Sequence, residues 1–324
     1  IRAGEGGTGT GEQKSKRYGK DGRFAETNRH IKKGDGTMKW DGKLQKDEEV
    51  TGYIPIALSS MTMAQLTKPN GRRRYVIDLF NLEGKLGSYR TVFPSVTTEV
   101  EGQLRNFGME KWKDGWIKRG LDKYVGQVLD TGMIDEILTS HTNEAQTSAK
   151  LGTQVHTYID KLLKDEDVND IPHQLEPAIQ GFLKWRRKYI DWEYIGSELG
   201  VYSTKYAVAG TIDALFNTPD GYVIVDWKTS SGIYDSHAIQ VSVYAEAFRH
   251  MTKKRKLAGA MVVRFGNSYP LVGNEKDRTM PKVFTDRVET MHLSKIECEI
   301  YAEEIRDLRN LKFRHARKLE KERF

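Results

Sequence analysis

With 324 residues, a formal net charge of +7 and a pI near 9.1, the chain has the length of one elaborated α/β domain or two ordinary ones. Its basic excess suits nucleic acid or an anionic surface without requiring either. Cys298 is the single cysteine, which excludes an internal disulfide and any cysteine-based zinc site, and points to a reducing compartment. No apolar run approaches the roughly 20 residues of a membrane span.

In chain order, residues 1–36 are rich in Gly, Lys, Arg and Thr, lack apolar periodicity, and read as a flexible basic arm. Within the arm, GGTGTGEQKS superficially matches a phosphate-binding loop. Gln13 precedes Lys14 where that motif needs Gly, and no apolar strand leads in, so no bound nucleotide is expected. Residues 37–71 form an extension of unassigned structure. From Arg72 the texture changes: RRRYVIDLFNL reads as a strand, and Gly84 and Gly87 mark a turn before SYRTVF. Pro94 and Ser95 then precede a helical stretch, about 98–138, broken near Gly108, Gly120 and Gly132 and carrying Trp112 and Trp116. AKLGTQVHTYIDKLL predicts a second helix with His156 beside its apolar stripe, and LEPAIQGFLKWRRKYI a third.

Three strands are expected next, around Tyr194–Ser203, Ala209–Phe216 and Tyr222–Lys228, the last two joined as a hairpin by TPDG. HAIQVSVYAEAFRHM follows as a helix, LAGAMVVRF as a strand, and a final helix runs from about Ser294 into a basic tail, residues 312–324.

The hairpin carries the chemistry. Side chains alternate along a strand, so Ile224, Asp226 and Lys228 share one face, and Val223, Val225 and Trp227 the other. With an even-numbered loop, Asp213 faces Asp226; a three-residue turn with a bulge would put Asp213 on the opposite face. Two directly opposed carboxylates repel unless a cation lies between them, so this pair with a nearby lysine is an oxygen-ligand site for Mg²⁺ or Mn²⁺. An isolated Asp-x-Lys is usually a solvated ion pair. Asp213 is less easily dismissed, because its neighbours in GTIDALF are apolar.

Taken together, helical His156, Gly210-Thr-Ile-Asp213, Asp226-Trp-Lys228 and Gln240-x-x-x-Tyr244 resemble, in order and spacing, the RecB-like branch of the PD-(D/E)XK nucleases. The lead-in ending PSVTT and the Gly-x-x-x-His start in KLGTQVH resemble mitochondrial genome maintenance exonuclease and its phage homologues. The resemblance covers about residues 72–311, taken as the nuclease domain. It implies an α/β restriction-endonuclease-like core, a mixed central sheet flanked by helices, behind a helical N-terminal lead-in.

By that resemblance, Asp213, Asp226, the backbone carbonyl of Trp227 and His156 hold Mg²⁺, with Mn²⁺ able to substitute. Lys228 orients or deprotonates the attacking water. Glu198 contacts a second metal or a water, or is a surface residue. Gln240 and Tyr244 brace the site or touch the DNA backbone. Ser95, Thr97, Lys150, Trp112 and Trp116 grip a single strand, unless the tryptophans are core. Many relatives carry a four-cysteine iron–sulfur cluster, which one cysteine cannot build. The expected activity is exonucleolytic digestion of single-stranded DNA from a free end, in replication, recombination or repair and alongside the proteins of those processes. It is expected in a bacterial or phage-infected cytoplasm rather than a mitochondrion, and away from membranes. An endonuclease acting on duplex or branched DNA, and a non-cutting nucleic-acid-binding module, are the alternatives.

Overall fold

The computed structural model describes residues 48–321 apart from 60, 70, 81–87, 105–106, 254, 269–270, 273–274 and 277–282, together with the short strands β1 (Ile31–Lys32) and β2 (Lys39–Trp40). These two strands pair with each other in an N-terminal unit, Ile1–Glu49; β1 apart, the arm expected over residues 1–36 lies outside the described residues.

The second unit, Val50–Phe324, opens with a four-stranded sheet of β3 (Glu49–Pro55), β4 (Thr62–Thr67), β5 (Arg73–Phe80) and β6 (Ser88–Pro94), in that order. The boundary expected at residue 72 therefore falls inside one sheet. Ser95 then caps α1 (Val96–Gln103), its hydroxyl accepting from the Thr98 N–H at 3.1 Å.

The helical lead-in is divided differently from the sequence expectation. α2 (Phe107–Lys123) runs through Gly108 and Gly120, and α3 is one helix of 33 residues, Thr131–Leu163. The break lies between them, where Asp130 caps α3 by accepting from the Met133 N–H at 2.8 Å. The two helices pack along each other.

After α4 (Glu176–Lys188) come β7 (Glu193–Ser203), β8 (Val208–Thr218) and β9 (Gly221–Lys228), within two residues of the expected strands at either end. α5 (Asp235–Met251) leads to β10 (Leu257–Ser268). The minor pair β11 (Leu271–Val272) and β12 (Glu275–Lys276) precedes β13 (Val283–Ser294) and α6 (Lys295–Lys321), which continues through the tail boundary expected at 312.

The central sheet has the order β13-β10-β9-β8-β7 and is mixed: β9 and β10 are parallel, the other neighbours antiparallel. A parallel pair needs a crossover, and α5 supplies it, buried along nearly its whole length from Ala238 to Phe248. One face of the sheet, with Leu215, Ile224 and Val262, packs against α1, α5 and α6. The other, with Phe216, Val223, Val225 and Trp227, packs against α3 and α4. Trp227 is held by Trp185 and Phe182, ring centroids 5.0 and 5.8 Å away, and each such aromatic pair contributes roughly 1 kcal/mol beyond the burial itself. The strand segment carrying the acidic residues is thereby anchored by the core beneath it. No helix among the described residues is long and apolar enough to cross a membrane.

Candidate active site

The hairpin has the even register. Thr218 pairs with Gly221, Phe216 with Val223 and Ala214 with Val225, which makes Asp213 and Asp226 the next opposed residues. The ladder stops before them. Instead, the Trp227 N–H donates to Asp213 Oδ2 at 2.8 Å, so a side chain replaces the main-chain partner at the point where the strands part. His156 on α3 brings Nδ1 to 3.7 Å from the same Asp213 oxygen.

Asp226 is 3% exposed and its Oδ2 lies 2.6 Å from Lys228 Nζ. Apart from that ion pair, Oδ2 accepts no hydrogen bond among the described residues. Burial raises the Asp226 carboxyl above its usual range; Lys228 opposes the shift and Asp213 adds to it. Lys228 is raised as well, because the carboxylates of Asp226 and Asp213 outweigh the burial that works against its charge. Asp226 is thereby held closer to protonation than a free carboxyl, and Lys228 more firmly charged than a free amine.

Glu198 sits on β7 opposite Asp213, between the laddered pairs Ser197–Ala214 and Leu199–Ile212. Its φ of 51° is a left-handed conformation, sparsely populated by non-glycine residues and concentrated at functional sites. Although the residue reaches solvent, desolvation of its carboxyl, then Asp213 and Asp160, push that carboxyl up to about 7.

Gln240 and Tyr244 stand one turn apart on α5, Gln240 Nε2 donating to Tyr244 OH at 3.2 Å and to Thr97 Oγ1 at 3.4 Å. Thr97 thus ties the PSVTT segment to the site-facing helix. Two motif glycines have steric reasons. A Cβ at Gly210 would lie 2.5 Å from Tyr244 Cε1, and one at Gly152 would lie 2.8 Å from Thr229 Oγ1, just beyond Lys228.

The remaining expected DNA contacts do not converge on the aspartates. Ser95 is buried and its hydroxyl is spent on capping α1, so it presents no group to a strand. Lys150 is exposed on α3, six residues before His156. Trp112 and Trp116 are half-buried between α2 and α3, edge to face at 6.3 Å. Trp112 also meets His141, and Arg119 lies over the Trp116 ring at 4.2 Å.

Several residues at the site were not read from the sequence. Asp160 lies one turn past His156, paired with Lys164 at 2.7 Å and accepting from Ser197 Oγ. Its i,i+4 spacing from His156 was the available signal. Arg264, opposite Lys228 in the parallel register, donates to the Ser230 carbonyl at 2.7 Å and pairs with Glu289 at 2.9 Å, which fixes the chain leaving the site. His237, neutral with its ring held down to about 4 by burial and by Lys228, accepts from the Tyr234 N–H.

Among the described residues, no three His, Cys, Asp or Glu side chains close into a ready-made metal cage. A hard divalent cation commonly needs only one or two carboxylates, the rest of its shell being carbonyl or water oxygen. Asp213 and Asp226 would supply those oxygens, and the Oδ2 of Asp226, partnered only by Lys228 among the described residues, fits such an ion. The PD-(D/E)XK nuclease superfamily matches residues 133–323, more than half of the chain, a span that includes His156, Glu198, Asp213, Asp226, Lys228, Gln240 and Tyr244. The chain belongs to the PD-(D/E)XK nuclease superfamily. Its mixed sheet flanked by helices is the fold expected of a PD-(D/E)XK protein. No curated protein matches the chain at a significant level. Among solved structures, one titled "Crystal structure of SSO0001" is similar at 12% identity and a TM-score of 0.25, covering 60% of this chain and 85% of that one. A similarity that slight adds nothing to the superfamily assignment.

Proposed function

We propose that this PD-(D/E)XK nuclease is a divalent-metal-dependent DNA exonuclease of the RecB-like kind that hydrolyses single-stranded DNA from a free end. The observation that carries the reading is the meeting of Asp213 and Asp226 where the hairpin parts, with Lys228 at the next same-face position of β9. Asp213, Asp226 and the Trp227 carbonyl would hold Mg²⁺ or Mn²⁺, with His156 alongside Asp213. Such an ion lowers the pKa of a bound water and neutralises charge gathering on a phosphate.

The chain's own groups do the rest. Lys228 keeps a positive charge beside Asp226, where it orients the attacking water and offsets charge on the phosphate oxygens as the phosphorus–oxygen bond breaks. Glu198, raised to about 7, can accept or return a proton near neutral pH. Gln240 and Tyr244, linked to Thr97, brace the wall opposite. The helical pair α2–α3 supports the end-dependent part. The C-terminal half of α3 packs on the sheet and carries His156, and its N-terminal half, with α2 packed along it, continues the same helix away from that residue. A strand passing beside them toward the aspartates would meet Lys150 first.

The test is digestion of linear and circular single-stranded DNA of one sequence in Mg²⁺. The reading expects the linear strand to be degraded and the circle to persist. Nicking of the circle at a comparable rate would replace it with an endonuclease that uses the same aspartates.

A further inference from the structure

Beyond the active site, a second charged feature lies at the other end of α5. A cavity of about 370 Å³ opens there, and Lys205, Arg249, Lys253, Arg255, Lys256 and Lys295 line it. They come from four places in the fold: the β7–β8 turn, the last turn of α5, the α5–β10 connection and the first residue of α6. Two of the six are balanced, Lys205 by Glu303, and Arg249 by Glu246 and Glu299. Lys253, Lys256 and Lys295 pair with no carboxylate among the described residues, and there the Arg255 guanidinium donates only to the Tyr222 hydroxyl, at 3.1 Å. Four uncompensated cations facing one concavity repel each other unless an anion joins them.

We infer that this cavity is a phosphate-binding subsite that holds the nucleic-acid backbone away from the scissile bond. The inference rests on the nuclease reading above and names a second contact for the same substrate. The lining favours backbone over a free nucleotide. Among the described residues, Leu257 and Thr204 are its only uncharged lining apart from His250, and that ring packs on Tyr206, 5.2 Å away, and bonds Ser203. A base would find no stacking platform there, whereas a phosphate needs only ammonium and guanidinium groups. From Gln240 to His250, α5 advances on the order of 15 Å, the reach of roughly four stacked nucleotides at 3.4 Å each. A strand longer than that can therefore occupy both places.

The decisive comparison is wild type against a Lys253→Ala/Lys256→Ala/Lys295→Ala variant. All three side chains are exposed, so the fold should be retained, which circular dichroism checks. Affinity is measured by fluorescence anisotropy in Ca²⁺, where cutting is not required, for a trinucleotide and for a strand several times longer. The expected result is about tenfold weaker binding of the long strand, with a log–log salt slope shallower by about 2 and trinucleotide binding unchanged. Cleavage of the trinucleotide should also keep its kcat. Equal affinity of the two proteins for the long strand would overturn the subsite, leaving these lysines as charges that favour the C-terminus of α5. A wild-type-only thermal shift with ATP or inorganic phosphate, with long-strand affinity unchanged, would overturn it in favour of a free anion. An acidic polypeptide that the triple variant loses, with DNA binding intact, would do the same. Because binding is scored without turnover, a protein that binds but never cuts would defeat the nuclease reading and leave this one standing.

Discussion

Lys228 and Asp226 illustrate how much of this site is concentrated in single side chains. Their 2.6 Å ion pair is nearly buried, so Lys228→Ala does more than remove a catalytic cation from the end of a strand. It strands a carboxylate in the core, and breaking a buried pair costs about 3 kcal/mol when the remaining charge has no partner. The expected outcome is a loss of about a hundredfold or more in kcat, together with a lower Tm of the metal-free protein. The Tm deficit should shrink toward acid pH, where Asp226 can take up a proton. Unchanged turnover would remove Lys228 from the mechanism, and an unchanged Tm would remove the ion pair from the stability account.

The same carboxyls give a pH signature. Glu198 is raised from 4.5 to about 7, and Asp226 is raised from 3.8. In the window between the open-chain and folded values, the folded chain holds more protons than the unfolded chain, so stability falls as pH rises through it. His237, lowered by burial, acts in the opposite sense and costs stability as pH falls below its open-chain value of 6.5. Comparison with an Asp226→Asn/Glu198→Gln variant isolates the acids. In EDTA, wild type should lose more Tm than the variant between about pH 5 and pH 8, and Mg²⁺ should restore wild type chiefly at the alkaline end. Parallel Tm curves for the two proteins would contradict the raised values.

At the scale of elements, the β8–β9 hairpin was legible because each of its signals is local. TPDG sets an even loop, apolar runs flank it, and Asp213 and Asp226 follow from counting outward. The steric basis of Gly210 was not legible, because Tyr244 arrives from a helix more than thirty residues downstream. Gly210→Ala should cost roughly 1–3 kcal/mol by forcing Tyr244 aside, and should lower kcat by disturbing its link to Gln240 and Thr97. Unaltered thermal unfolding would show that the contact relaxes freely.

α3 was read as two pieces for the opposite reason. Between Thr139 and Lys150 its side chains are mostly solvent-exposed and polar, so no apolar stripe marks the helix, and Gly132 looked like a break when it lies inside the first turn. Ser95 was placed among the strand contacts by its position in the PSVTT lead-in, although a serine ahead of a helix also suits a cap. Burial decides for the cap. Asp160 and Arg264 were missed because each acquires its role from strands distant in sequence.

For the molecule as a whole, the superfamily match spans residues 133–323, while α1 and the β3–β6 sheet lie ahead of it; Thr97 of α1 accepts from Gln240, and Tyr75 of β5 meets the Thr211 hydroxyl at 3.4 Å. That Asp213 and Asp226 would hold a divalent cation for DNA hydrolysis is tested most directly by end-labelled single-stranded DNA incubated with wild type and Asp226→Asn, in Mg²⁺ and in EDTA. Hydrolysis is expected by wild type in Mg²⁺, none in EDTA, and none by Asp226→Asn in either, with that variant still folded by circular dichroism and still binding the strand. Cleavage by Asp226→Asn at the wild-type rate, or by wild type in EDTA, would contradict it.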